Sequence, residues 1–276
     1  MRWIGSRTGG RSAGRARGEP GAGRGDPSGA RGARPDPDMP RVGSCSVGKT
    51  SEPCYAKSAQ ASRLHTGSLA MESKQPITDA RLEGRTTVLR PIRPSDAAAA
   101  FSMLHGREPI LRWLLWRGPT SEEELSRAYD SWVRESVARP TGTKREFLFA
   151  MEERATGAFL GTIGVDVTGE PARADLGYWI GERFWGRGFG TEAVGLAVAF
   201  AFRHLSATSV CAWVFVGNDP SRRILEKNGF RLAATVRDKL ESDGKVRDEW
   251  SFVLLREEWE RAGSPPSGIS EEVRRG

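Results

Sequence analysis

Cysteine is scarce in this 276-residue chain, which holds only Cys45, Cys54 and Cys211. An odd number of cysteines without a Cys-x-x-Cys pair excludes a disulfide-stapled secreted scaffold and a cysteine-rich zinc module. The chain also lacks any run of 18 apolar residues, which excludes a membrane-spanning helix. The three histidines stand at no ligand spacing, so we expect no metal. We expect a cytoplasmic protein.

Negative charge is scarce in the first quarter of the chain. Residues 1–70 hold 12 Lys and Arg but only 5 Asp and Glu, whereas the remainder holds 30 of each. The whole net charge of +7 therefore belongs to this segment. It has 13 Gly and 6 Pro but only five Ile, Leu, Val or Phe, too little apolar surface to offset chain entropy. We predict a disordered Gly/Pro/Arg-rich tail over residues 1–80.

A basic tail suggests either a nucleic-acid arm or a targeting peptide. The tail has no block of five like charges and few aromatic side chains to stack on bases, which argues against a nucleic-acid partner and leaves at most a contact through this tail. No apolar segment follows the basic start, which argues against a secretory signal, and Gly and Pro dilute the helix of a transit peptide. Met71 is an alternative translation start, and the sequence leaves that choice open.

The tail also contains Gly43-Ser44-Cys45-Ser46-Val47-Gly48-Lys49-Thr50, which fits the phosphate-binding pattern G-x4-G-K-[ST]. That mechanism needs a buried strand before the loop and a helix after it. Pro35, Pro37 and Pro40 precede the pattern, and Pro53 follows it. We interpret the match as a coincidence.

Regular hydrophobic patterning begins near Gly84 and indicates a single α/β domain over 84–260 with a mixed, mostly antiparallel sheet flanked by helices. Asp96, Ser121 with Glu124, and Asp219 are expected helix caps. A disordered polar tail is expected over 261–276. Strands are predicted at about 86–90, 145–151, 159–167, 174–181, 208–216, 230–238 and 246–255, and helices at about 95–105, 121–137, 191–204 and 219–228.

Three local features carry chemical information, although each also has a purely structural explanation. The loop Gly186-Arg187-Gly188-Phe189-Gly190 precedes an almost wholly apolar helix, and such a helix start favours phosphate. Asp175, within the strand before the loop, is a candidate base or an edge-strand charge that faces water. The run that starts at Asn218-Asp219-Pro220-Ser221 and ends at Gly229 reads as a capped helix with a glycine stop.

In this order and spacing, the three features resemble the GNAT family of acetyl-CoA-dependent N-acetyltransferases. The likeness covers about residues 84–260 and is to the RimJ/RimL branch, which acetylates ribosomal protein N-termini. It is carried by Asp175-Leu176-Gly177-Tyr178-Trp179-Ile180, Trp185-Gly186-Arg187-Gly188-Phe189-Gly190-Thr191-Glu192-Ala193, Asn218-Asp219-Pro220-Ser221-Arg222-Arg223-Ile224-Leu225-Glu226-Lys227, Gly229-Phe230 and Arg112-Trp113-Leu114-Leu115-Trp116.

The resemblance implies the GNAT fold and an acetyl-CoA site. Backbone N–H groups of the glycine-rich loop would hold the pyrophosphate, and the pantetheine arm would lie between two splayed strands near Ile180. Asn218 would bond that arm, and Ser221 would stand near the sulfur as a proton donor. The implied catalytic residues are Asp175 and Ser221, and the implied cofactor-binding residues are Ile180, Gly186, Arg187, Gly188, Phe189, Gly190, Thr191, Asn218 and Ser221.

The chain departs from the family pattern at three positions. Trp185 stands where the loop pattern has Gln or Arg, and Leu225 stands where many members have a tyrosine general acid. Asp175 stands where the branch often has Glu, which is one methylene longer. The missing tyrosine leaves open a second class of function, a module that binds acyl-CoA without turnover.

The pKa of the acceptor amine favours one substrate class. An α-amine has a pKa of about 7.7–8.0 and a lysine amine about 10.4, so deprotonation at pH 7 costs on the order of 1 kcal/mol for the first and nearly 5 for the second. With one carboxylate, a peptide or protein N-terminal α-amine is the expected acceptor. A small amine such as an aminoglycoside or polyamine is the alternative, with Glu122, Glu123 and Glu124 as attracting charges. The oligomeric state is expected to be monomer or homodimer.

Overall fold

The computed structural model describes residues 77–138, 145–169, 171–240, 245–263 and 270–275. The predicted Gly- and Arg-rich tail up to residue 76, the phosphate-loop pattern at 43–50 and the turn expected at Asp243-Gly244 lie outside these residues. In the described part of the chain, no helix is both long and apolar enough to cross a bilayer.

The described strands form one sheet of nine, in the order β7-β8-β6-β5-β4-β3-β2-β1-β9. Their bounds are β1 Ile77–Glu83, β2 Thr87–Pro91, β3 Arg145–Glu153, β4 Phe159–Thr168, β5 Arg173–Ile180, β6 Ser209–Phe215, β7 Arg231–Leu240, β8 Val246–Leu255 and β9 Ser270–Arg275. Every adjacent pair is antiparallel except β5 and β6, which run parallel. The predicted mixed, mostly antiparallel sheet is confirmed.

Six α-helices accompany the sheet in the described residues. They are α1 Ala97–Leu104, α2 Glu108–Leu111, α3 Glu122–Ala138, α4 Phe189–His204, α5 Asp219–Lys227 and α6 Arg256–Arg261. The helices α1 and α3 pack together and contact β4 and β3, respectively. The apolar helix α4 packs on β2, β4, β5 and β6 and against α5. Its side chains are buried almost all round, as their composition predicts.

The aromatic ring of Phe200 fixes α4 on the sheet. It meets the rings of Phe147 and Phe149 edge to face, with both centroids 5.2 Å away. Phe149 and Phe200 are fully buried. Edge-to-face geometry is the preferred arrangement of aromatic pairs, and this cluster therefore holds the C-terminal half of α4 against the strands below it.

Both ends of the domain extend beyond the expected bounds. The predicted disorder up to residue 80 is corrected, because β1 begins at Ile77. The predicted disorder after residue 260 is corrected as well, because residues 270–275 form β9, which pairs antiparallel with β1. Ala80 and Leu82 of β1 are buried. The β9 side chains are polar except for Val273, which packs partly buried against the core, so composition predicts no strand. Backbone pairing to an open sheet edge and the Glu271 bonds to His204 (2.6 Å) and Arg203 (2.8 Å) hold it instead.

Of the expected helix caps, one is present and two are corrected. Ser121 Oγ accepts from Glu124 N at 3.1 Å, as expected. Asp96 makes no cap bond to α1, because its carboxylate accepts from both terminal nitrogens of the buried Arg90, at 2.7 and 2.8 Å. An unpaired buried guanidinium costs more stability than a missing helix cap, so the Asp96 carboxylate bonds Arg90. Asp219 is the first helical residue of α5, and Asn218 occupies the cap position.

Candidate functional site

The parallel strands β5 and β6 separate halfway along their length. They pair from Arg173 opposite Ser209 to Leu176 opposite Ala212 and no further. Beyond that point β5 stays paired with β4 as far as Ile180, and β6 stays paired with β8 as far as Phe215. Residues 177–180 of β5 therefore have no described strand on the β6 side, and their backbone polar groups on that side face an opening.

Gly161 lets β4 approach β5 closely at the end of the opening. Its φ is +154°, and a Cβ there would lie 2.1 Å from the Trp179 carbonyl oxygen and 2.9 Å from the Ile180 Cα. No side chain fits at those distances. One edge of β5 is thus held close against β4, and the other, unpaired edge faces the gap.

The glycine-rich loop continues directly from β5 and ends at the start of α4. Gly186 and Gly188 have φ of +75° and +87°, and a Cβ on either would meet nothing within 4 Å, so the loop surface is open. No side chain caps α4, and the first amide bonded inside the helix is Glu192 N, which donates to Gly188 O at 3.2 Å. The amides of residues 189–191 have no partner in the described part of the chain. They form an anion-attracting end of a helix.

Two side chains brace this loop. The Trp185 indole Nε1 donates to the Ile180 carbonyl at 2.8 Å, which folds the loop back onto the end of β5. Arg187 Nη2 donates to Glu153 Oε1 at 2.7 Å, and its guanidinium lies 4.8 Å from the centroid of the Phe189 ring. Arg187, one of the expected cofactor-binding residues, is thus bonded to the end of β3.

Gly190 brings three elements together at the open end of the sheet. A Cβ on Gly190 would lie 2.9 Å from Ile180 Cδ1 and 2.9 Å from Ile224 Cδ1. A Cβ at this position would push the ends of both isoleucine side chains aside, so glycine favours the close contact of α4 with both β5 and α5. The sequence-predicted residues Ile180 and 186–191 are accordingly gathered around one opening.

Helix α5 carries the next two predicted residues and one that sequence reasoning missed. Asn218 Oδ1 accepts from Ser221 N at 3.4 Å, and both residues are buried. Ser221 Oγ lies 2.9 Å from the hydroxyl of Tyr178, the residue two places beyond the last pair of β5 with β6. Burial raises the pKa of Tyr178 well above its ordinary value, although the Ser221 bond opposes it. The family pattern places a tyrosine at position 225 of the helix, where this chain has leucine, whereas the tyrosine of this site lies on the strand β5.

Asp175 lies apart from Ser221. It is three residues from Tyr178 in the same strand, and because strand side chains alternate, the two residues point to opposite faces of the sheet. Asp175 Oδ2 accepts from Arg173 Nη2 at 2.9 Å, and its buried Oδ1 has no partner among the described residues. Its paired neighbours are Asp166 and Cys211, and burial, reinforced by the Asp175 charge, raises the pKa of the Cys211 thiol to about 11.

Comparison with known proteins identifies this arrangement. The profile of the acetyltransferase (GNAT) domain matches residues 86–231, more than half of the chain. The chain belongs to the GNAT acetyltransferase family. It is therefore an acyltransferase, and acetyl-CoA is the acyl donor that GNAT enzymes use. The fold and family inferred from the sequence are confirmed.

Relatives place this GNAT enzyme in the RimJ/RimL-like branch. The N-acetyltransferase YoaA of Bacillus subtilis, which is uncharacterized, is 29% identical over 179 residues, 64% of this chain and 98% of YoaA. YdaF of the same organism is 28% identical over 62% of this chain and 92% of YdaF. Its name describes it, provisionally, as a ribosomal N-acetyltransferase. The structure of Mycobacterium smegmatis RimJ with CoA-disulfide is 25% identical and superposes with a TM-score of 0.53, covering 68% of this chain and 94% of RimJ.

Proposed function

We propose that this GNAT enzyme transfers the acetyl group of acetyl-CoA to a primary amine, and that a peptide or protein N-terminal α-amine is the preferred acceptor. The observation that carries the proposal is the gap between β5 and β6, which ends beside the uncapped start of α4. A long, narrow ligand with an anionic group at one end fits these two features together. CoA has that form, with a pantetheine arm joined to a pyrophosphate.

The residues present fit CoA at each part of its length. Amides of the loop at 186–191 would hold the pyrophosphate, because the helix start has partial positive charge and open glycine surface. The unpaired edge of β5 would pair with the pantetheine amides as a missing strand does. A backbone N–H group on this edge would point at the thioester oxygen, where negative charge develops during attack. Asn218 and Ser221 stand on the facing helix α5.

The reaction needs one bond made, one bond broken and one proton moved. The neutral amine attacks the thioester carbon, the new C–N bond forms and the C–S bond breaks. Asp175, or a water held on its unpartnered Oδ1, would take the proton that the amine nitrogen loses. Ser221 would protonate the departing sulfur. The base would then act from the face of the sheet opposite the one on which Tyr178 meets Ser221 of α5.

The choice of acceptor rests on the number of available bases. Asp175 is already paired with Arg173, which leaves it one free oxygen. The pKa of a lysine amine lies more than about three units above neutral pH, whereas the pKa of an α-amine lies only about one unit above it. Removing the proton from an α-amine is therefore much easier. A single restrained carboxylate is therefore adequate for an α-amine. The name of YdaF, which describes a ribosomal N-acetyltransferase, and the similarity of this chain to RimJ support the same acceptor class.

A second acceptor class is favoured by a row of carboxylates across three strands. Sheet pairing sets Glu146 opposite Asp166 and Asp166 opposite Asp175, and directly paired side chains share a face. Such a row would attract an acceptor with several positive charges, such as a polyamine or aminoglycoside. The glutamates at the start of α3 add less, because Glu124 is bonded to Thr120 and serves the helix end.

A panel of amines with acetyl-CoA tests the proposal, with product identified by mass and CoA thiol release followed with a trapping reagent. The acceptors are a peptide with a free N-terminus and no lysine, the same peptide N-acetylated with one internal lysine, spermidine and an aminoglycoside. We expect the free N-terminus to be acetylated fastest. A faster lysine peptide would contradict the α-amine assignment, and a faster spermidine or aminoglycoside would establish the second class. Binding of CoA without thiol release for any amine would establish a binding module.

A further inference from the structure

A hydrogen bond between two side chains crosses the sheet gap where main-chain pairing stops. Tyr178 on β5 and Ser221 on α5 are 43 residues apart in sequence, and their hydroxyl oxygens lie 2.9 Å apart. The Tyr178 hydroxyl is also 3.5 Å from the Ser221 carbonyl oxygen. Tyr178 is 7% exposed and Ser221 5%, so water does not compete for the bond. This pair directly links the two walls of the opening.

Acidity decides which hydroxyl donates. A phenol has a pKa of about 10 and is a much stronger acid than an aliphatic alcohol, so the favoured arrangement has Tyr178 donating and Ser221 accepting. Burial raises the pKa of Tyr178 further and keeps it protonated throughout the neutral range. Ser221 N is held at the same time by Asn218 Oδ1. The serine is thus fixed from two sides, and its own hydrogen is left to turn toward a third group.

We propose that Tyr178 is a positioning residue for Ser221, which it orients so that the serine hydrogen is directed at the sulfur of the departing CoA. The inference rests on the proposed function. As the C–S bond breaks, the sulfur gains the Ser221 hydrogen, and the serine oxygen recovers a proton from water. The amine nitrogen releases one proton as the C–N bond forms, so protons balance. Tyr178 donates its hydrogen bond throughout the transfer and stabilises the partial negative charge that develops on the serine oxygen before water returns a proton to it.

The experiment is a double-mutant cycle with Tyr178→Phe and Ser221→Ala, measured by CoA release at saturating amine. Tyr178→Phe removes one hydroxyl and keeps the ring that fills the buried site. We expect kcat to fall roughly 3- to 10-fold, the effect of one hydrogen bond, with KM for acetyl-CoA within about twofold. In the Ser221→Ala background the same change should leave kcat unaltered, because nothing remains to be oriented.

Tyr129→Phe is the matched control. Tyr129 lies in α3, is 2% exposed and is the other tyrosine that the structure describes. Its loss of a buried hydroxyl should leave kcat unchanged. A Tyr178→Phe enzyme with wild-type kcat, or with an equal loss of kcat in both backgrounds, would overturn the positioning role. Failure of the proposed function has a different signature, since the unmutated enzyme would then release no thiol with any amine.

A second measurement avoids the risk that Tyr178→Phe does not fold. Growth on 3-fluorotyrosine replaces all three tyrosines of the chain by an isosteric and more acidic phenol, which is a stronger donor. A change in kcat that is absent from Ser221→Ala would support the role. The same change in both enzymes would count against it.

Discussion

Arg187 and Glu153 form an ion pair of 2.7 Å that ties the glycine-rich loop to the end of β3. Arg187 is half exposed and Glu153 is 17% exposed, so the pair lies at the surface, beside the uncapped start of α4. An arriving pyrophosphate offers the guanidinium a second anionic partner. The carboxylate of Glu153 therefore competes with CoA for the cation.

Replacement of Glu153 should thus tighten CoA binding. Exposed ion pairs contribute about 0–1 kcal/mol, so we expect Glu153→Gln to lower the Kd for CoA by up to about fivefold and Arg187→Gln to raise it. The measurement is calorimetric titration with CoA. In the Arg187→Gln background, Glu153→Gln should have no effect. A tightening that persists in that background would show that Glu153 repels the ligand directly.

A large side chain at position 188 should abolish CoA binding. Gly188 has φ of +87° at the start of α4, with open space around it, and Gly263 after α6 has φ of +76° with open space too. A Trp at either position meets the same backbone strain, which costs on the order of 1 kcal/mol. We expect Gly188→Trp to lose CoA binding and thiol release, and Gly263→Trp to keep both at a similarly lowered Tm. Retained CoA binding by Gly188→Trp would place the anion site elsewhere.

Asn218 is expected to have two separable roles. Its Oδ1 caps α5 through Ser221 N, and its side-chain amide N–H group would bond the pantetheine arm. Asn218→Ala should lower stability by about 1 kcal/mol and raise KM for acetyl-CoA. Asn218→Asp keeps the cap oxygen but loses the N–H donor, so it should retain the Tm and still raise KM. An Asp variant with the KM of the unmutated enzyme would leave Asn218 as a cap alone.

Loss of the Asp175 carboxylate tests the base. General-base catalysis contributes about 10²–10⁴-fold, so Asp175→Asn should lower kcat by at least about 100-fold with folding retained. Asp166→Asn is the control, because Asp166 lies directly opposite in the pair and has the same charge. It should alter kcat by a few-fold at most. If Asp175→Asn retained kcat, the role of Asp175 would be its ion pair with Arg173.

Glu192 should make stability depend on acid pH. Its carboxylate accepts from Arg85 N at 2.6 Å and Thr86 N at 2.9 Å, and it also bonds Thr86 Oγ1. Burial alone would raise the pKa of Glu192, but these bonds outweigh it and hold the pKa below 4.5. A lowered folded pKa means that the stabilisation is present above pH 4.5 and lost as pH falls below it.

Glu192→Gln should accordingly lower Tm at pH 7 and lessen the fall of Tm between pH 5 and 3. Circular dichroism melts across that range make the measurement. Glu257→Gln, at an exposed position of α6, is the control and should follow the unmutated protein. Parallel Tm profiles for Glu192→Gln and the unmutated protein would contradict a lowered pKa at Glu192.

Local pattern predicted most of the elements between β2 and β8. The turn glycines, the alternating strands and the apolar run at 189–204 are each decided by neighbours within about one turn or one strand. The short helix α2 and the helix α6 were not predicted, because four and six residues give too little periodicity. The strands β1 and β9 were missed because they are short and mostly polar, like the segments next to them in the chain.

The sequence by itself determined the family, the order of strand, glycine-rich loop and buried helix, and the positions of the residues expected around CoA. These depend on residue type and on spacing along the chain. Only the tertiary structure decided that β5 and β6 separate after Leu176, that Arg187 is bound to Glu153, and that Tyr178 reaches Ser221. Those partners are distant in the chain, and a contact that folding makes between distant residues leaves no periodic trace in the sequence around either one.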